Sequence, residues 1–565
     1  MDVWRTFALS YWRLNAEDET DGTALRILAC AARLAPGEPM PGELLTLSLD
    51  PFGEPGTAPP WPVTRARDAL ERLTEVGLLG EEGDGAFGMH RLVAAFALAE
   101  ISDDEAQAAV EAACSRAALE AFSEGHPGRQ EALLPHVRLL ADAAMARVDD
   151  PAANLCTAAG VGLGQLGAYD EALPYAQRAV DITADLHGPN DRLTLQRRSN
   201  VGMLLKNKRD WDVARAVYEE VLEAQVTHLE REDIDVAATI NNMGVLLRRE
   251  DLYHEMLSLY RRALRIRERV WERTGPDDPD RRGNAYKVAE SHSNMGALMM
   301  DLGRPRQAGP HFDSALGIME GEFGENHERN AGTLVMRGAA LRALGHYPHA
   351  VKSVRSALDI YGDVTRSAPP AVARALANLG SIFAEWAEED GTLSVEQRAQ
   401  LREIAGGSLQ AALTGSEHGY GEDHLMTGGL NRALGEVRGA QGAAEDARRH
   451  REQADTCRRL NLRGKDAEAA VAINEAGGAL VPSGLYDEAQ AYLERALAIR
   501  EGVLKERNFA TSTSLFKLGI LFQLRGRDSR ARQYLERALA ARSHVCGVDH
   551  PATEVVRDNL RLLES

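Results

Sequence analysis

Asparagine and basic residues recur in this chain at fixed distances from a glycine that itself recurs. Three and two positions before that glycine and four after it lie one or two helical turns apart, so on a helix they share a face. They are Ser199, Asn200 and Lys206 around Gly202; Asn241, Asn242 and Arg248 around Gly244; Ser293 and Asn294 before Gly296; Arg342 after Gly338; and Asn378 before Gly380. Side-chain amides donate and accept hydrogen bonds, and ammonium and guanidinium groups make charge-assisted ones. The strip therefore has the chemistry of a polar binding surface. An asparagine there can equally satisfy the backbone of a neighbouring segment, so the Asn set supports both readings, whereas Lys206, Arg248 and Arg342 are less easily explained by packing. Around later glycines the same positions hold Arg432, Gly439, Val481 and Phe516, which ends the strip.

No residues are spaced for bond making. The histidines at His311, His327, His346, His349 and His424 follow the repeat and form neither His-Glu-x-x-His nor a His/Cys metal spacing. Gly-x-Ser-x-Gly and the phosphate-cradling Gly-x-x-x-x-Gly-Lys-Ser/Thr are both missing. No catalytic residue, metal ligand or cofactor is expected, and the chain is read as non-enzymatic. Cys30, Cys114, Cys156, Cys457 and Cys546 are scattered, which fits small core residues in a reducing cytosol. The formal charge of −20, from 65 basic and 85 acidic side chains, argues against broad affinity for nucleic acid or anionic membranes. Neither a signal stretch nor an apolar run near membrane-spanning length is present, which predicts a cytoplasmic chain.

The elements that would position the strip are set by the glycines themselves: Gly160, Gly202, Gly244, Gly296, Gly338, Gly380, Gly435, Gly477 and Gly519. Six of the eight intervals are 42, and the others are 52 and 55. Small residues follow 19 positions later, as at Ala179, Ala263, Ala496 and Ala538, and 12 positions later, as at Ala172, Ala214 and Ala531, with Met256 the exception. Antiparallel helices joined by a short turn touch where side chains are missing, so Gly on the first helix and Ala on the second mark a crossing. The spacing predicts an all-α superhelical solenoid of nine helix pairs over 151–551, with a capping helix at 552–565. Insertions near 272–287 and 386–403 are expected as an exposed loop between the third and fourth pairs and as a connection inside the sixth.

This pattern resembles the tetratricopeptide repeat, and its 42-residue period is similar to the kinesin-light-chain subtype. The shared details are Asn-x-Gly on the first helix (Asn200, Asn242, Asn294, Asn378), Tyr-Asp-Glu-Ala at the turn (Tyr169–Ala172, Tyr486–Ala489), and Tyr-Leu-Glu-Arg-Ala-Leu on the second helix (Tyr492–Leu497, Tyr534–Leu539). Phe323–His327, Tyr420–His424 and Cys546–Pro551 resemble the family's link into the next repeat. The resemblance implies that first helices line a concave surface, where the Asn and basic residues hold an extended peptide in repeats two to six.

Residues 1–100 have a different texture. Helices are expected at Ala24–Leu34, Pro41–Leu49 and Thr64–Val76, a Pro/Gly-rich loop at Asp50–Pro62, and a strand, turn and strand from Leu78 to His90. That is a winged-helix arrangement, mostly α. Its 8 Arg and no Lys against 16 acidic residues speak against reading DNA. Phe7–Leu14, Ala24–Leu45 and Met89–Ala99 resemble the winged helix of STAND (NB-ARC) signalling ATPases. Met89-His90-Arg91-Leu92 stands where that family has Met-His-Asp-Leu. The resemblance implies that His90 would contact nucleotide phosphate, but only if an ATPase domain were supplied in cis or in trans, as part of a longer chain or as a partner. Arg91 departs from the motif, and the nucleotide-binding core is missing. Residues 101–150, opened by a capping box at Ser102 and Glu105, read as a helical adaptor, and Leu133–His136 resembles the lead into such repeats. The functional expectation is a protein- or peptide-recognition arm, sensor or scaffold, of a STAND-type signalling or defence system. The alternatives are a peptide-responsive DNA-binding regulator and a self-assembling repeat scaffold.

Overall fold

The computed structural model describes residues 2–50, 63–101, 104–124, 127–228, 233–249, 252–276, 278, 280–364, 369–462, 465–504 and 508–564. The Pro/Gly-rich stretch after Asp50 and the Ser102 cap lie outside these. The chain falls into two compact units, Met1–Asn242 and Met243–Ser565. No helix among the described residues is long and apolar enough to cross a membrane.

Unit 1 opens with helices Asp2–Tyr11 and Glu19–Ala31, the second capped by Asp18, whose carboxylate accepts from Thr20 and Asp21 N–H. Three short strands follow: β1 (Met40–Pro41), β2 (Gly80–Glu81) and β3 (Ala86–Gly88). They form an antiparallel sheet in the order β1-β3-β2, with Met40 opposite Phe87 and Gly80 opposite Gly88. β1 corrects the expected helix at Pro41–Leu49. The segment enters as a strand and turns helical only over Gly42–Leu47, where a Cβ on Gly42 would stand 2.7 Å from Gly85 O. The Val63–Glu75 helix buries Ala66, Ala69 and Leu73, and Arg91–Glu100 follows β3.

The adaptor helices, Asp104–Glu124 and Pro127–Ala144, share one apolar core with this segment and with the first repeats. His136 clamps the two together: it is fully buried, its Nδ1 accepts from Ala35 N–H at 3.0 Å, and its Nε2 meets Pro39 O at 3.0 Å. One nitrogen must accept and the other donate, so the ring is neutral, and burial holds its pKa below the usual histidine value. At the far end Arg147 grips Glu111 at 2.7 and 3.0 Å and Asp149 at 2.9 Å. Asp149 in turn caps the first repeat. Two helix pairs complete the unit: Asp150–Gln165 with Tyr169–His187, and Arg192–Lys208 with Trp211–His228. The first helix of repeat 3, Ile234–Arg249, crosses the boundary.

Unit 2 continues with Tyr253–Arg273, then six pairs in the expected register, from Arg281–Asp301 with Pro305–Phe323 to Phe509–Leu524 with Asp528–Cys546, and ends in Pro551–Leu562. The alanines 12 and 19 residues beyond each key glycine are essentially inaccessible. The side chain that lies over the glycine is the one 16 residues on. A Cβ on Gly202 would stand 3.0 Å from the Tyr218 ring, on Gly296 2.6 Å from Phe312, on Gly477 2.9 Å from Leu493, and on Gly519 2.7 Å from Leu535. Adding that carbon overpacks the crossing by roughly 1–3 kcal/mol.

Both insertions differ from expectation. Between repeats 3 and 4 one helix runs on to Arg273 and the next begins at Arg281. In repeat 6 the additional residues lengthen both helices, to Glu389 and from Val395, around a short turn. A capping box between Ser394 and Gln397 starts the second of these. The padding is helix rather than loop, and Trp386 stacks on Phe383 and on Tyr347 to seat it.

Candidate functional site

The repeats are joined by a buried side chain that the sequence pattern alone did not single out. Twenty-three residues beyond the key glycine stand Arg267, Arg500 and Arg542, each nearly inaccessible. Arg267 donates to Lys287 O and Ser291 Oγ, both at 2.8 Å. Arg500 donates to Ala510 O at 2.8 Å and Ser514 Oγ at 2.9 Å. Arg542 donates to Ala552 O at 2.9 Å and lies over the rings of Phe509 and Phe516. In each case the carbonyl is nine residues before the next key position, so the guanidinium fork ties one repeat to the next. Between repeats 1 and 2 the partners are exchanged: Thr183 holds the later position, and Arg197, on the following helix, donates to it and to Asn154 Oδ1 at 2.7 Å. Recurrence of Arg at the same register was the available signal.

The polar strip has different fates in the two units. In unit 1, Ser199, Asn200, Lys206, Asn241 and Asn242 are all half-buried on first helices. Asn200 lines a small recess with Thr157, Val161, Ala176, Arg197 and Met203. Next to it in sequence, Ser199 Oγ is cut off from solvent and has no hydrogen-bond partner among the described residues. Burial holds the Arg197 guanidinium below its usual pKa.

In unit 2, Arg248 is open on one side, donates to Asp301 Oδ1 at 2.8 Å and holds Oδ2 at 2.7 Å as an ion pair, which raises its pKa further. Asn294 is half-buried, and Ser293 Oγ bonds Thr333 Oγ1 at 3.0 Å. Arg342 and Asn378 correct the expectation of an open strip. Both are buried. Arg342 donates to Asn378 Oδ1 at 2.9 Å, Tyr486 OH at 3.1 Å and Val481 O at 3.4 Å, and it faces Glu385 at 3.7 Å. Asn378 also donates to Val335 O at 3.0 Å, serving a neighbouring backbone. The physical reason is curvature: first helices of repeats 5 and 6 meet the turn of repeat 8. Glu385, half-buried beside Arg342, is pushed up to about 7 by desolvation, and the Tyr347 hydroxyl donates to nearby Glu389 at 2.5 Å.

The histidines of the repeat links are caps. His424 and His550 each accept at Nδ1 from the N–H two residues on, at 3.2 Å, and Tyr420 stacks on His424. His90 makes the same bond to Leu92 N–H at the start of Arg91–Glu100. Among the described residues no cluster of three His, Cys, Asp or Glu could hold a metal.

Residues 154–225, 287–363 and 468–544 match a family model described as Tetratricopeptide repeat, and residues 236–280 match a second model of that description. Protein KINESIN LIGHT CHAIN-RELATED 1 of Arabidopsis thaliana is 24% identical over 365 residues, covering 59% of this chain and 57% of that protein, so the chain spans little more than half of its length. Among solved structures, the apo form of the quorum sensor NprR from B. thuringiensis is 12% identical, with a TM-score of 0.42 over 74% of this chain and 96% of that one. A Rap protein complexed with Competence and Sporulation Factor is 13% identical, with a TM-score of 0.40 over 76% and 99%.

Proposed function

We propose that this chain, a tetratricopeptide-repeat protein similar to the kinesin light chains, is a non-enzymatic recognition arm taking a protein or peptide on the first helices of its repeats. The observation that supports this most is the recess that Asn200 lines with Thr157 and Arg197, next to a Ser199 hydroxyl with no partner among the described residues. A buried hydroxyl without a partner costs about 1–3 kcal/mol, which a ligand's carbonyl would recover on opening this part of the helix surface. Lys206, nearly two turns further along the same helix, is a cation that a ligand carboxylate could share.

The antiparallel sheet and flanking helices of residues 1–100 favour a winged helix of STAND type. On that reading the arm reports to an ATPase or effector domain in cis or in trans, in signalling or defence. His90 would face nucleotide through Nε2 only there, since its Nδ1 is used as a cap.

The experiment is cross-linking of full-length chain in host lysate, with the cross-linked residues mapped by mass spectrometry, for wild type and for an Asn200→Ala, Lys206→Ala, Asn242→Ala triple variant. Cross-links on repeats 2 and 3 that the variant loses are expected. A partner held equally by both proteins, or mapped elsewhere, refutes the reading.

A further inference from the structure

Seven positions after the key glycine the connecting turn takes a left-handed residue, seen at Gly167, Gly303, Gly345, Gly442, Gly484 and Gly526 with φ between +63° and +84°. A Cβ at four of these would meet nothing within 4 Å. At Gly484 it would overlap the Arg342 guanidinium and stand 2.6 Å from Ser381 Cβ. At Gly303 it would stand 2.8 Å from Ile520 Cδ1. The turns of repeats 4 and 8 are therefore docked on side chains far away in sequence.

What holds the turn of repeat 8 is informative. Val481 O accepts from Arg342, Ser483 O accepts from Ser381 Oγ at 3.0 Å, and the Tyr486 hydroxyl accepts from Arg342. Arg342 and Ser381 both lie on first helices, Asn330–Ala343 and Pro369–Glu389. Two backbone carbonyls of a Val-Pro-Ser-Gly turn are thus bound by first-helix side chains, one of them from the strip, in the way an incoming peptide backbone would be. The second seam is of the same kind: Asn559 Nδ2 donates to Leu302 O at 2.5 Å, Arg304 donates to Asn559 Oδ1 at 3.1 Å, and Tyr253 packs on Phe516.

We propose that unit 2 is held shut by an internal ligand: the turn Val481–Tyr486 occupies the first-helix surface of repeats 5 and 6, and a partner backbone reaches Arg342 and Ser381 only by displacing it. The inference rests on the peptide-recognition reading but concerns repeats 5, 6 and 8 alone. A partner that binds here must present carbonyl groups to a buried guanidinium and a buried serine hydroxyl. Its affinity is lowered by the fraction of molecules in which the turn is docked.

The test uses the full-length chain, hydrogen exchange, and a fluorescein-labelled peptide of residues 479–489 as probe. Gly484→Ala should open the seam and raise exchange about tenfold or more in Pro369–Glu389 and in 480–486. Gly442→Ala imposes the same left-handed strain without the clash and should leave both segments unchanged. Arg342→Met, which leaves the turn's own backbone intact, should release 480–486 in the same way and guards against a Gly484→Ala protein that does not fold. The peptide should bind Gly484→Ala at least tenfold more tightly than wild type, and adding Arg342→Met should abolish the gain. Equal exchange in Gly484→Ala and Gly442→Ala overturns the proposal, as does an opened chain that ignores the peptide or a wild type that binds it equally well. Any of these leaves recognition at Ser199 and Asn200 standing, because the probe does not test unit 1.

Discussion

Asn200 in unit 1 and Asn378 in unit 2 occupy the same register of their repeats, two residues before the key glycine, and have opposite environments. Asn200 borders a recess next to an unsatisfied serine. Asn378 is sealed between Val335 O and Arg342, under the turn of repeat 8. The local sequence is alike, Ser-Asn-Val-Gly against Ala-Asn-Leu-Gly, so the difference is made by what curvature brings from elsewhere. Repeat grammar assigns a residue to a face; it does not say whether that face is already covered.

The largest effect that would break this contrast is at Arg342. Arg342→Ala leaves Glu385 without its cation and strands the acceptors on Val481 and Asn378, and loss of one partner from such a buried cluster costs about 3–5 kcal/mol. Asn200→Ala should cost under about 1 kcal/mol. Urea unfolding followed by site-resolved hydrogen exchange separates the two, since a repeat array need not unfold in one step. Equal losses at both positions would mean that the two environments are energetically the same.

Acid should also act more strongly on unit 2. His254 and His292 are held down to about 4, chiefly by burial, and then by His550 and His311 respectively. The unfolded chain binds their protons near pH 6.5, so stability is complete above that value and falls as pH drops from 6.5 towards 4. The loss is on the order of 3 kcal/mol for each at most. In unit 1 His136 shifts in the same direction through its neutral clamp. Exchange measured from pH 7.5 to 4.5 should rise in Tyr253–Arg273 and Arg281–Asp301, and His254→Phe and His292→Phe should flatten that rise. A flat wild-type profile would show that neither ring is kept neutral by the fold.

A smaller effect tests the arginine staples. Arg542→Lys keeps the charge but not the planar fork that reaches Ala552 O while lying over two phenyl rings. It should cost about 1–3 kcal/mol, read as early exchange in Pro551–Leu562. Arg197→Lys in unit 1, where the partners are exchanged across the junction, should cost a similar amount. If only one of them matters, the exchanged arrangement is not equivalent.

The all-α repeat architecture was legible because glycine and alanine at fixed spacing report a packing constraint local to one helix pair. The crossing partner was not, because tyrosine, phenylalanine, valine and leucine fill that position interchangeably and only geometry picks it out. The insertions misled through composition: Asp, Gly and Pro near 275–280 do mark a turn, but the charged residues around it extend helices. Strand β1 was hidden because two residues give no periodicity. For the strip, the sequence located Asn200 and Arg342 on first helices and could not foresee that Val481 would lie over one of them, 139 residues away. Contacts at that separation leave no local pattern to read.

Arg248 gives the smallest change in stability and the sharpest use of the contrast. It belongs to the strip and to unit 2, yet unlike Arg342 it stays about half open while gripping Asp301 through both nitrogens. Because the arginine is half open, the pair is partly screened by salt and contributes on the order of 1 kcal/mol, although Asp301 itself is mostly buried. Arg248→Ala should therefore lower stability by less than about 1 kcal/mol. Asp301, mostly buried with its Oδ2 cut off from solvent, would keep its charge only if water enters the space the guanidinium leaves. Asp301→Asn should give a similarly small loss while leaving the cation unpaired and available. If the strip binds carboxylates here, Asp301→Asn should tighten retention of an acidic partner and Arg248→Ala should weaken it, with opposite signs at nearly equal stability. Equal signs would assign this arginine to packing, as at Arg342, and would leave unit 1 as the part of the strip that recognises a ligand.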